Sequence, residues 1–278
     1  MRYKNHLLTT LLLLGVALMA AACIPPAKAA VNAITIKGGD FSFDTPAAVS
    51  AGLVTITFEN VGQEVHHLQL VQLNEGVTVA QVLAALPQGD AALLALLKGI
   101  DGGVGPLDPG GSAQVTVELA PGNYLLLCFV PGHDGVPHLA KGMITPLTVV
   151  GPLPDNQPKP VADATVKLVD FSFVLPTAIK AGKQTWAIVN EGTQPHEIAL
   201  IKLADGKTVA DLIAFNEHAH GAPPFQNVGG FQGIAPGKTG WLHLDLQPGS
   251  YVAVCHIPDG ASGKAHSELG MMLPFTVQ

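Results

Sequence analysis

Charge is scarce in this chain: only 13% of its 278 residues are Asp, Glu, Lys or Arg. Basic residues are the rarer sign, 14 against 21 acidic, for a formal net charge of −7. That balance excludes nucleic acid and anionic membrane surfaces as partners and suits a basic one. Long apolar runs are missing too. The longest, Leu7 to Ala22, falls short of the roughly 20 residues a bilayer-spanning helix needs. Cysteine is nearly absent, with Cys23, Cys128 and Cys255 making up the whole complement, which leaves little for disulfide bridging. What is abundant is turn chemistry, 31 Gly and 22 Pro, set between short Val, Ile, Thr and Phe runs. Such punctuation predicts many strands, and the length predicts two domains.

The N-terminus reads as an export signal over residues 1–22: Arg2 and Lys4, the apolar run, then small residues. Two cleavage readings stand side by side. Ala20-Ala21-Ala22-Cys23 resembles a bacterial lipoprotein box, with Ala20 where Leu is usual, and would leave Cys23 lipidated as the chain's one link to a membrane. Ala27-Lys28-Ala29 fits ordinary signal-peptidase cleavage, which would release a soluble protein. An uncleaved anchor is the third, plainer reading. Loss of Arg2 and Lys4 takes the formal charge from −7 to −9.

The rest of the chain is a duplication. Asp40-Phe41-Ser42-Phe43 recurs as Asp170-Phe171-Ser172-Phe173. Asn60-Val61-Gly62 followed by His66 recurs as Asn190-Glu191-Gly192 followed by His196. Pro121-Gly122-Asn123-Tyr124 before Cys128 recurs as Pro248-Gly249-Ser250-Tyr251 before Cys255, and both copies close on Gly-Met and a short apolar strand. We place the first domain at residues 31–150, the second at 163–278, and a stiff Pro-rich linker at 151–162.

Within each copy the apolar period is two. Val54, Ile56 and Phe58 alternate with Thr55, Thr57 and Glu59; Val115, Val117 and Leu119 alternate with Thr116 and Glu118; Leu242, Leu244 and Leu246 alternate with His243 and Asp245. These are strands with one face to a core and one to water. Thr78 with Gln81 predicts a helix start that Ala91 to Leu97 extends, and Thr208 with Asp211 opens a shorter counterpart. The fold class is all-β: two tandem β-sandwiches, each with a short helical insertion.

One thiol per repeat reads as a metal ligand rather than half a bridge. The candidate set is His66, Cys128, His138 and Met143 in the first copy and His196, Cys255, His266 and Met271 in the second. Soft thiolate and thioether suit Cu(I), imidazole suits Cu(II), and together they serve both oxidation states without large rearrangement. The motifs Asn-x-Gly-x-x-x-His, Pro-Gly-x-Tyr-x-x-x-Cys and His-x4-Met resemble those of the cupredoxin family over nearly the whole chain after the leader. The resemblance implies Greek-key sandwiches, two type 1 (blue) copper sites and single-electron exchange with a redox partner protein.

One departure narrows it. Nine residues separate Cys128 from His138 and ten separate Cys255 from His266, where plastocyanins and azurins have only a few. The stretch is similar to the type 1 loop of copper nitrite reductases. Those enzymes place a His just before the Cys for a second copper, and Leu127 and Val254 stand there here. Multicopper oxidases add several His-x-His pairs; Cys255-His256 and His218-Ala219-His220 are remnants at best. Storage or delivery of copper uses the same ligands, but five Met and three Cys are few for it. Three alternatives attach to single residues: His67 competes with His66, His133 would give a shorter azurin-like spacing to Cys128, and His218 with His220 would hold an extra metal.

Overall fold

A computed structural model describes residues 32–218 and 221–278. The export signal, Cys23 and His220 lie outside the described residues. No helix among the described residues is long and apolar enough to cross a membrane.

The first repeat runs β1 (Asn32–Gly39), β2 (Ser42–Asp44), β3 (Ala48–Ser50), β4 (Gly52–Asn60), β5 (His66–Leu73), α1 (Val79–Ala85), α2 (Asp90–Leu94), β6 (Leu97–Leu107), β7 (Ser112–Leu119), β8 (Gly122–Leu127) and β9 (Ile144–Val150). The second runs β10 (Ala164–Val169), β11 (Ser172–Val174), β12 (Gly182–Asn190), β13 (His196–Leu203), α3 (Val209–His218), β14 (Phe225–Ile234), β15 (Thr239–Leu246), β16 (Gly249–Val254) and β17 (Met272–Val277). The fold is all-β, two sandwiches in sequence with helices confined to the insertions.

Local chemistry sets those insertions. The Thr78 hydroxyl accepts the Gln81 amide while the Gln81 side chain accepts the Thr78 amide, satisfying two free N–H groups at the start of α1. Thr208 and Asp211 do the same for α3. The helical pattern stops earlier than its apolar run suggests: α2 ends at Leu94, and Leu97 is already strand, paired with Leu73. A ladder partner in β5 overrides the helical propensity of the leucines.

The two sandwiches do not stand apart. One sheet of eight strands has the order β11-β10-β12-β15-β7-β4-β1-β2, and the other, of nine, β17-β16-β13-β14-β6-β5-β8-β9-β3. Each crosses from one repeat to the other through an antiparallel pair, β15 with β7 and β14 with β6. The pairing is pseudo-two-fold. Aligning Pro109-Gly110 with Pro236-Gly237 makes Phe231 the counterpart of Val104 and Leu242 that of Val115, and each pairs with its own counterpart. One apolar core accordingly runs through both repeats, from Ile36, Phe58 and Leu126 to Trp186, Phe231 and Leu242. Full burial of side chains this large is worth about 2–3 kcal/mol each.

The seam changes the fate of some outward positions. Thr116, expected on the wet face, is fully buried: its hydroxyl meets Thr55 Oγ1 at 2.8 Å and His243 Nε2 at 2.8 Å. Asp101 pairs with Lys238 across the same seam. The segment 151–162 lies along β4, where Gln157 Oε1 accepts the Leu53 amide at 2.6 Å. Gly52 beneath it has φ +110°, and a side chain there would strike Pro154 and Gln157.

Candidate metal centres

Each motif of the repeat has a mechanical task. Asn60 Nδ2 donates to the carbonyls of Glu64 and Leu107, both at 2.8 Å, while its Oδ1 accepts the Gly62 amide at 3.0 Å. This staples the turn that delivers His66 to the start of β5. Asn190 repeats it with Gln194, Ile234 and Gly192. Gly62 is a matter of space, since a methyl carbon there would lie 2.6 Å from His66 Nε2 and still nearer Asp40 Oδ1. Gly192 stands in the same relation to His196 and Asp170. The tyrosine of Pro-Gly-x-Tyr is buried with its hydroxyl donating to a carbonyl four residues back, Ala120 for Tyr124 and Gln247 for Tyr251. That bond anchors the strand whose far end carries the cysteine.

The long Cys-to-His segments are pinched into small hairpins. In the first, Pro131 bridges Pro137 and the His138 amide donates to Val130 O at 2.9 Å. In the second, Pro258 bridges Ala265 and the His266 amide donates to Ile257 O at 2.9 Å. The extra residues are looped out, and each histidine returns beside its cysteine. Gly142 (φ +107°) and Gly270 (φ +114°) then end the 3-10 turns at His138–Lys141 and His266–Leu269, where a left-handed residue is needed. Met143 and Met271 follow, fully buried, their amides donating to His138 O and His266 O at 2.9 Å.

His66, Cys128 and His138 converge, all fully buried, with their ligand atoms within 4.8 Å of one another; so do His196, Cys255 and His266. His66 Nδ1 lies 3.0 Å from His138 Nδ1, and Cys128 Sγ 3.6 Å from the latter. In the second cluster these distances are 3.0 and 3.4 Å. Outside the first cluster, His66 Nε2 donates to Asp40 Oδ1 and His138 Nε2 to Glu64 Oε2, each at 3.0 Å. With both outer nitrogens carrying the ring proton, two bare Nδ1 lone pairs face each other with no proton between them. A soft or borderline cation answers that arrangement, and the His2Cys donor set suits copper.

Electrostatics agree. Burial holds His66 below the ordinary imidazole value, so it stays neutral and free to ligate. Burial also pushes the Cys128 thiol up to about 11, and that of Cys255 higher still, with Glu197 adding to the burial. A bound cation reverses this by stabilising the thiolate. The Glu197 backbone amide donates to Cys255 Sγ at 3.5 Å.

The remaining histidines fall elsewhere. His67 is buried outside the cluster, its Nε2 accepting the Phe129 amide. His133 is exposed on the loop-out. His218 is exposed at the end of α3, 3.9 Å from Glu217. His256 is also exposed, its backbone amide held by Glu197 Oε1 at 2.8 Å.

Sequence reasoning passed over the residues that hold the ligands. Asp40 and Asp170 orient the first histidines. Phe41 and Phe171, at φ +63° and +60°, set their ring edges on His138 and His266 with centroids 5.2 Å apart. A left-handed aromatic residue costs about 1–3 kcal/mol, which the ring contact helps to offset. The signal for all four was the Asp-Phe-Ser-Phe repeat itself. Glu64 left no such signal, because its counterpart is Gln194.

No protein-family model matches the chain, and no curated protein does. Among solved structures, it is similar to dithionite-reduced auracyanin from the photosynthetic bacterium Roseiflexus castenholzii at 26% identity, covering 44% of this chain and 99% of that one, with a TM-score of 0.30. Auracyanin A, a "blue" copper protein from Chloroflexus aurantiacus, gives 26% identity, 44% and 100% coverage and a TM-score of 0.29. The blue copper oxidase of Nitrosomonas europaea covers 89% of this chain and 86% of its own at 16% identity, with a TM-score of 0.26. An all-β sandwich occurs twice, and each copy buries one His–Cys–His cluster fed by the same motifs. The chain carries two tandem β-sandwich repeats, each with one buried His–Cys–His cluster whose donor set suits copper.

Proposed function

We propose that the chain is an exported single-electron carrier with one type 1 copper centre in each repeat, His66, Cys128, His138 and Met143 holding one metal and His196, Cys255, His266 and Met271 the other. The observation that carries this is the pair of facing Nδ1 atoms 3.0 Å apart beside a buried sulfur, present twice. When bound, copper supplies a one-electron couple. The protein's part is to keep the ligands where both oxidation states accept them. Asp40, Glu64 and Asp170 fix ring orientation through the outer nitrogens. Complete burial of all eight donors excludes water and limits reorganisation. It also speaks against storage or delivery, which need an exchangeable metal. Leu127 and Val254, beside the cysteines, offer no ligand for a second catalytic copper, so a carrier fits better than an oxidase or nitrite reductase. The acidic surface suits a basic redox partner.

The test is a copper count with a visible spectrum. Two coppers per chain, an intense thiolate-to-copper band and reversible reduction with Cu(I) retained are the expected results. A band missing from both repeats would leave the sandwiches as structural modules. Rapid loss of Cu(I) to a chaperone would favour delivery, and turnover of nitrite or a phenol would favour an enzyme.

A further inference from the structure

The residue after each first histidine holds the backbone of the residue after each cysteine. His67 Nε2 accepts the Phe129 amide, and Glu197 Oε1 accepts the His256 amide at 2.8 Å. These two holders come from different repeats, yet both face Gln232 of β14. The Gln232 amide nitrogen donates to Glu197 Oε2. Its carbonyl oxygen is buried near the His67 ring and has no hydrogen-bond partner. The strand carrying Gln232 is pinned at the next residue, where Gln69 Nε2 donates to Gly233 O and to Gly102 O, both at 3.0 Å. The counterpart of Gln232 in the first repeat is Gly105, and that of Gln69 is Ala199. The pseudo-two-fold seam thus carries a single bridge, shared by both sites, where strict symmetry would build two or none.

We propose that the two centres exchange electrons within one chain along this buried seam, from Cys128 through Phe129, His67, Gln232, Glu197 and His256 to Cys255, with Gln232 as the positioning residue that closes it. This rests on the carrier reading above. The step balances simply: an electron leaves reduced copper in one repeat and reduces oxidised copper in the other, with no bond made or broken and no proton moved. Every link is a covalent bond, a hydrogen bond or, between His67 and Gln232, a close approach; the Gln232–Glu197 bond is buried and those to the Phe129 and His256 amides are part-buried, and low dielectric strengthens such polar chains. Gln232→Leu keeps similar bulk and deletes the hydrogen bond to Glu197.

The experiment uses the full chain loaded with two coppers and carrying Met271→Leu, since exchanging the axial residue moves the potential and the band of one centre and makes the two distinguishable. Sub-stoichiometric photoreduction is followed by the redistribution of the electron between the two bands. The expected redistribution rate is independent of protein concentration. Gln232→Leu slows it at least about tenfold, the scale of effect of losing a supporting contact around a metal site, while both bands persist. In the metal-free chain, Gln232→Leu speeds amide hydrogen exchange at both Phe129 and His256. A rate proportional to protein concentration, or one unchanged by Gln232→Leu, overturns the proposal. Unchanged protection of the two amides removes Gln232 from its role and overturns it as well, and Gln232→Met supplies the same readouts where the leucine variant does not fold. Absence of any thiolate-to-copper band in the parent is a different failure, since it defeats the carrier reading itself before exchange arises.

Discussion

Glu64 Oε2 accepts the outer ring proton of His138 at 3.0 Å, and no side chain does this for His266, whose buried Nε2 has no partner. Position 194, where a matching carboxylate would stand, is glutamine, and Gln194 is turned away to Asp259 Oδ1 at 2.8 Å and to the Gly260 amide at 3.1 Å. A carboxylate on the far nitrogen makes an imidazole a better donor and favours the more oxidised metal. The two sites should therefore differ in potential. Glu64→Gln is expected to weaken Cu(II) binding at the first site about 10–100-fold and raise its potential by about 60–120 mV. Gln194→Glu is expected to lower the potential of the second. Redox titration of each band checks both directions, and equal potentials that neither substitution moves would count against the carboxylate's role.

Cys128→Ser and Cys255→Ser remove one sulfur each from clusters that share no ligand. Each variant should lose one of two coppers and roughly half the visible band, because oxygen is a poor replacement for thiolate in such sites. Copper analysis and absorption measure this. One variant losing all colour, or neither losing any, would end the model of two separate sites.

Gly62→Ala and Gly192→Ala should each damage one site. The added carbon would lie 2.6 Å from the ligand histidine's Nε2, so the ring or its aspartate must move. Overpacking of this kind costs about 1–3 kcal/mol of stability, and displacing a ligand's support costs about 10–100-fold in metal affinity. Metal competition titration of the altered and unaltered repeats separates the two effects, and full affinity at the altered site would contradict the crowding.

His243 gives the fold a pH dependence away from the metals. Its ring lies between the Thr116 hydroxyl at 2.8 Å and the Thr185 hydroxyl at 3.2 Å, and burial holds its pKa below the ordinary imidazole value. The unfolded chain then binds this proton more readily than the folded one. Stability is flat above the unfolded pKa, roughly 6.5, and falls as pH drops below it toward the lowered folded value. Denaturant midpoints of the metal-free chain between pH 7 and 5 should show that loss. His243→Gln should lessen it, the burial-lowered His66, His67, His256 and His266 contributing the remainder, and an equal slope in both proteins would place the titrating groups elsewhere.

Much of this architecture was legible in one dimension. A strand's side chains alternate whatever it packs against, so Val54, Ile56 and Phe58 announced a buried face without a partner being known. Duplication placed Asn-x-Gly, Pro-Gly-x-Tyr and Gly-Met around two sets of His and Cys, and those motifs act mostly on neighbours close in sequence or on the ligand itself, the bonds from Asn60 to Leu107 and from Asn190 to Ile234 excepted. The physical reason for each is local: a turn to staple, a tyrosine hydroxyl to satisfy, a left-handed residue to end a turn. The competing histidines were separable by the repeat, which pairs His66 with His196, sets Glu197 opposite His67 and gives His133 no counterpart; the fold supplies the reason for His67, because one strand residue faces the cluster while the next faces the opposite side. Asp40 and Phe41 lie far along the chain from the histidines they touch, and Glu64 has no copy to betray it. The joining of four sheets into two depended on tertiary packing alone. Val104 meets Phe231, and Thr116 meets His243, because two strand edges with free N–H and C=O groups find each other across the repeats. Nothing in either strand's own period encodes that meeting. The sequence by itself thus determined the strands, the repeat and the donor types, whose causes are local. Only the tertiary structure decided how the histidines converge, which carboxylates hold them, and that one glutamine lies between the two sites, because those relations join residues distant along the chain.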